Sequence, residues 1–80
     1  MTDLELNSVT RQVHAIVARY SRLPDAILRA QCKGLGKEPN EIGRADLPEL
    51  AKRIAAAVAM FTNPEKGAAV ERAIQALVNR

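Results

Sequence analysis

The chain has 80 residues, a net charge of +3, one cysteine (Cys32) and two aromatic side chains (Tyr20 and Phe61) against fourteen alanines. A single domain of this size buries only about 60–65% of the surface its unfolded form exposes, and a lone thiol supplies no disulfide, so the stability margin is thin and help from a partner chain is expected. No apolar run approaches the roughly 20 residues of a membrane-spanning helix, and the acidic start MTDLELNS lacks a signal-peptide pattern, so the expected location is cytoplasmic, with no membrane contact.

Leu6, Val9, Val13, Ile16, Val17 and Tyr20 recur at helical spacing and predict a first helix over about residues 4–20. Two start signals compete: Thr2 with Glu5 as a capping box, which begins the helix so early that Leu4 falls off the apolar stripe, or a start at Asn7 or Ser8. A turn at Ser21 to Pro24 follows, and Pro24 suits a first helical position. The second helix, about 24–33, turns Ile27, Leu28 and Cys32 inward and ends at Gly34 or Gly36. Lys37 to Ala45 reads as a connection with one turn near Pro39 to Ile42, anchored by Leu35 and Ile42.

A third helix, about 46–62, begins with Asp46 as cap and Glu49 three residues on, and it aligns Leu47, Leu50, Ala51, Ile54, Val58 and Phe61 in one stripe. Asn63-Pro64 opens a fourth helix, about 64–79, with Val70, Ile74, Leu77 and Val78 inward and Glu65, Arg72, Gln75 and Asn79 outward. So short a turn forces the last two helices into an antiparallel hairpin. The expected fold is all-α, a compact four-helix bundle-like domain spanning residues 1–80, without repeats or a second domain.

From Ile54 to Thr62 no residue carries charge. At 100° per residue, Ala56 and Met60 fall on the side of Glu49, Lys52 and Arg53, opposite the apolar stripe, so the second half of this helix needs cover on more than one face. Either another element of the same chain provides it or a second copy does, with Ala56, Ala59 and Met60 as candidate interface residues and the outer side of the fourth helix as a second contact surface. Charge is unevenly spread as well. Arg11, Arg19, Arg22, Arg29, Lys33 and Lys37 are opposed between positions 10 and 37 only by Asp25, whereas Glu38, Glu41, Asp46 and Glu49 have only Arg44 among them. A basic surface (Arg11, Arg19, Arg22, Arg29, Lys33) beside an acidic segment suits pairing between copies.

Catalytic groups are scarce. His14 is the only histidine, and with Cys32 it gives no metal-ligand spacing, so neither metal nor cofactor is expected. Nucleophilic catalysis needs Ser8, Ser21 or Cys32 beside His14, but Cys32 faces inward on the second helix and His14 outward on the first. Glu38 and Glu41 lie on a loop without an apolar pocket to raise a pKa. Gly34-Leu35-Gly36-Lys37 has no preceding strand and wrong spacing for a phosphate loop, and reads as a helix end. His14 shares its face with Arg11, Ala15, Ala18 and Arg22. A phosphorelay histidine would sit broadly like this, yet Val13-His14-Ala15-Ile16 matches no such motif, which favours an ordinary surface histidine.

The sequence therefore predicts a non-enzymatic helical protein–protein interaction module, a self-associating regulatory or adaptor protein whose partner is a second copy or another chain, with no small-molecule substrate indicated. The first alternative is nucleic-acid binding through the basic first two helices, with Gln31 at a base edge; few aromatics argue against base stacking. A phosphorelay-type protein using His14 is the second.

Overall fold

Asn7 sets the first helix. In the computed structural model, which describes residues 6–79, its side-chain oxygen accepts the Thr10 N–H at 2.9 Å while Thr10 Oγ1 accepts the Asn7 N–H at 3.0 Å. This reciprocal cap satisfies N–H groups that the first turn leaves without partners, and helix α1 runs Ser8–Tyr20. The later of the two start signals is thus the one used, and Leu6 and Asn7 precede the helix; the Thr2–Glu5 pair lies outside the described residues. Asn7 has a second role. Its Nδ2 donates to the carbonyls of Asn40 at 3.0 Å and Ile42 at 2.7 Å, fastening the distant connection to the base of α1.

Helix α2 spans Pro24–Gly34, with Pro24 in its first turn, where a missing N–H costs nothing. It ends in a Schellman motif. The Gly36 N–H donates to the Lys33 carbonyl at 2.9 Å and the Lys37 N–H to the Cys32 carbonyl at 3.1 Å. Gly36 takes φ +74°, a left-handed conformation that a Cβ would strain, which accounts for glycine at that position. Two single 3₁₀ turns follow, Pro39–Glu41 and Arg44–Asp46, with Ile42 buried between them.

The second of these turns corrects the expected start of helix α3 (Leu47–Phe61). Asp46 does not cap α3 with Glu49. Its backbone is already near helical, φ −83° and ψ −17°, because the 3₁₀ turn runs straight into the helix and leaves no extended cap residue. The Asp46 carboxylate instead turns back to accept the Gly43 N–H at 2.9 Å and Lys37 Nζ at 2.9 Å, while Glu49 pairs with Arg53 one turn along. Helix α4 (Pro64–Val78) starts as expected, with Asn63 Oδ1 accepting the Lys66 N–H at 2.9 Å.

The core lies where α3 meets its neighbours. Leu50, Ile54 and Val58 of α3 are fully buried against Val13 and Val17 of α1, Leu28 and Cys32 of α2, and Val70 and Ile74 of α4. Helices α3 and α4 form the antiparallel hairpin and share the most extensive contact in the molecule. Their close approach depends on small residues: a Cβ on Gly67 would stand 2.6 Å from the Ala55 carbonyl oxygen and 2.8 Å from Ala59 Cβ. Such proximity is open only to glycine.

One expectation about α3 needs correction, and one of two alternatives drops out. Phe61 continues the buried stripe in helical angle, yet it is 65% exposed. It sits in the last turn of α3 beside Leu23, at the helix ends, where the packed interior stops. Nor is the chargeless run shielded all round by its own chain. Ile54, Ala55 and Val58 are buried and Ala57 and Ala59 half-buried, but Ala56, Met60, Phe61 and Thr62 are exposed, because α4 packs on the Ala55–Ala59 side only.

Candidate functional site

Met60, Phe61 and Leu23 are the large apolar side chains left exposed among the described residues, at 82%, 65% and 58%, and all three border one groove. The groove, with a volume of about 590 Å³, runs between α2 and α3. Its floor is made of small side chains, Ala26 and Ala30 from α2 and Ala56 and Ala57 from α3, while Gln31 and Arg53 close the far end. Ala26 and Ala30, one helical turn apart on α2, face the adjacent Ala56 and Ala57 of α3 and leave a trough because none carries atoms past Cβ to fill it. Scattered single exposed apolar residues are ordinary; here the three large ones line one concavity.

Of the residues expected at an interface, the groove holds Ala56 and Met60. Ala59 stands apart from them, facing Gly67 inside the α3–α4 hairpin. The α2 wall was not anticipated, although Ala26 and Ala30 sit four residues apart and stand opposite in character to the inward Ile27 and Leu28. The outer side of α4, the second expected contact surface, presents Ala68, Arg72, Ala76 and Asn79, without a large apolar side chain.

The expected basic surface is divided. Arg19 and Arg22 line a cleft of about 500 Å³ at the end of the bundle, where the α1–α2 turn meets the α3–α4 turn. Lys66 of α4 joins them there, with Tyr20, Phe61 and Thr62. Arg29 and Lys33 lie elsewhere, in a depression they share with Lys37, Glu38 and Glu41, so acidic groups interleave with the basic ones. Arg11 is exposed on α1 and lines neither of these depressions. Lys37 is taken up by Asp46, and the carboxyl of Asp46 is held below its ordinary 3.8 chiefly by the Gly43 N–H and then by Lys37.

His14 is not a free surface side chain. Its imidazole is 28% exposed, and Nε2 is engaged by Asp25 in the first turn of α2. Cys32 is fully buried, and burial, reinforced by Asp46 and Glu38, pushes its thiol up to about 11, so it stays protonated and unreactive at neutral pH. His14 and Cys32 therefore occupy separate environments, and no group of three His, Cys, Asp or Glu side chains converges among the described residues. No helix there is long and apolar enough to cross a membrane.

The described residues form an all-α helical domain with an open apolar groove between α2 and α3. Comparison with protein-family models, with curated proteins and with solved structures finds no match to this chain.

Proposed function

We propose that this chain is a non-catalytic interaction module, regulatory or adaptor in kind, that self-associates through the α2–α3 groove. The observation that carries this is the gathering of Leu23, Met60 and Phe61 around one alanine-floored trough that no element among the described residues covers. A standard interface takes about 800 Å² from each partner. That is about one sixth of the 5095 Å² surface of this chain, an area that two adjacent helix faces can supply. Burying a side chain such as Met60 contributes about 1.5–3 kcal/mol, and Ala26, Ala30 and Ala56 permit close helix approach.

Charge favours a second copy as the occupant. A two-fold axis through the trough and perpendicular to the helices would lay the two α3 helices antiparallel. Glu49, which is exposed and held only by Arg53 at 3.4 Å, then faces the Phe61–Lys66 end of the other copy, where cations gather. Light scattering coupled to size exclusion tests this directly. The wild-type protein is expected at dimer mass at micromolar concentration and Met60→Glu at monomer mass, since the substitution places a charge in the apolar contact. A wild-type chain that stays strictly monomeric at high micromolar concentration refutes self-association.

A further inference from the structure

Tyr20 and Phe61 are the only aromatic side chains in the whole sequence, and the fold brings both into the same cleft at the end of the bundle. Three cations line that cleft with them: Arg19 from the last turn of α1, Arg22 from the α1–α2 turn and Lys66 from the first turn of α4. None of the three has a carboxylate partner among the described residues, and no carboxylate lines the cleft; Asp25, the one acidic residue near Arg22 in sequence, is engaged by His14. Leaving three like charges together without counter-charge costs stability through mutual repulsion, which an anionic ligand would relieve.

We infer that this cleft binds a phosphorylated nucleoside, with the phosphate held by Arg19, Arg22 and Lys66 and the base laid against the aromatic pair. Guanidinium groups hold phosphate oxygens through paired N–H donors, and any nucleobase offers a π-face to an aromatic ring. The volume of about 500 Å³ lies within the range of pockets that hold one small ligand. Both chemical requirements, anion and flat ring, are met by elements from opposite ends of the chain that only the fold unites. The site does not require self-association: the groove lies on the far side of Leu23 and Phe61, which the two concavities share as a common wall, and a partner copy's Glu49 at the cationic end would compete with the ligand rather than complete the site.

The test is a titration of the full chain, isotopically labelled, with adenosine monophosphate, ribose phosphate, adenosine, inorganic phosphate and a short oligoadenylate, followed by amide NMR shifts. Adenosine monophosphate should move amides of Tyr20–Leu23 and Phe61–Lys66, bind more tightly than ribose phosphate or adenosine, and weaken as salt rises from about 0.05 to about 0.5 M. The double substitution Arg19→Gln/Arg22→Gln, at exposed positions, should weaken binding about tenfold or more with the circular dichroism spectrum unchanged. Met60→Glu should leave binding undiminished, or tighten it where loss of the dimer withdraws the partner copy's Glu49. The inference is overturned by an absence of shifts in this cleft at millimolar adenosine monophosphate, or by equal binding in the double variant. Equal affinity for ribose phosphate removes the aromatic half. Binding of oligoadenylate alone, with a steep salt slope, replaces the small ligand by single-stranded nucleic acid.

Discussion

Gly67→Ala should destabilise the protein, although helix propensity alone favours alanine over glycine by about 0.8–1 kcal/mol. The reason lies across the hairpin. An added Cβ would stand 2.6 Å from the Ala55 carbonyl oxygen and 2.8 Å from Ala59 Cβ, where ordinary contact begins at 3.4 Å. Both obstacles sit on α3 itself, so neither can rotate aside, and α4 must withdraw by several tenths of an ångström. A gap of that size forfeits about a quarter to a half of each dispersion contact it opens. Over about 30 atom pairs of about 0.15 kcal/mol each, between residues such as Ile54, Val58, Val70 and Ile74, the loss is about 1–2 kcal/mol, and backbone strain brings the total to about 2–3 kcal/mol. The net effect is a loss of about 1–2 kcal/mol, which lowers the melting temperature of a domain this size by about 5–15 °C.

Urea and thermal unfolding followed by far-ultraviolet circular dichroism measure this, with Gly34→Ala as the control. At Gly34 the added Cβ would meet only Arg53 Nη1, at 2.9 Å, the free end of a flexible side chain. Gly34→Ala should therefore be neutral or stabilising by about 0.5 kcal/mol. A Gly67→Ala protein that melts at or above the wild-type temperature refutes the idea that α3 and α4 are locked at a glycine-only distance.

Asn7→Ala should lose about 1 kcal/mol for the α1 cap and a further 1–2 kcal/mol or so for the carbonyls of Asn40 and Ile42 left without donors. Asn7→Asp keeps the cap acceptor but not the donors, so its urea midpoint should fall between the wild type and Asn7→Ala; if it matches the wild type, the tie to the connection contributes nothing. Stability should also fall at both pH extremes for identifiable reasons. Asp46 titrates lower in the folded state than its ordinary 3.8, so the stability it contributes is full above that value and is lost as pH drops through the lower folded value; Asp46→Asn should flatten this limb in an acid-unfolding series. Cys32 titrates higher when folded, about 11 against 9.0, so stability declines as pH rises between those values, and Cys32→Ser, which does not ionise there, should remove that decline at the expense of some core stability.

Most of the helical architecture was legible in the sequence because it rests on local rules. Periodicity located the core faces: Val13, Ile16 and Val17 of α1, Ile27 and Leu28 of α2, and Val70, Ile74 and Leu77 of α4 are all buried. Cap and turn chemistry placed Asn7, Pro24 and Asn63 at helix starts and the Gly34–Gly36 segment at a helix end. The pattern at Asp46 and Glu49 misled, since a capping box is defined by residue types three apart and carries no information on whether a preceding 3₁₀ turn claims the carboxylate. The apolar stripe of α3 likewise says nothing of where neighbouring helices end, so it includes Phe61, which stands in solvent.

What the sequence by itself determined is the set of elements and their inward faces, because helix spacing, caps and breakers act within a few residues. Only the tertiary structure decided what the outward faces add up to. It placed Met60 beside Leu23 along one trough, separated Ala59 from Ala56, split the basic residues between two depressions, turned His14 toward Asp25, and gathered Tyr20, Phe61 and three cations at one end. Those juxtapositions depend on how far apart two helices sit and where each one stops. Both are set by packing between residues distant in sequence, Gly67 against Ala55 and Asn7 against Ile42 among them, and no local pattern encodes that distance.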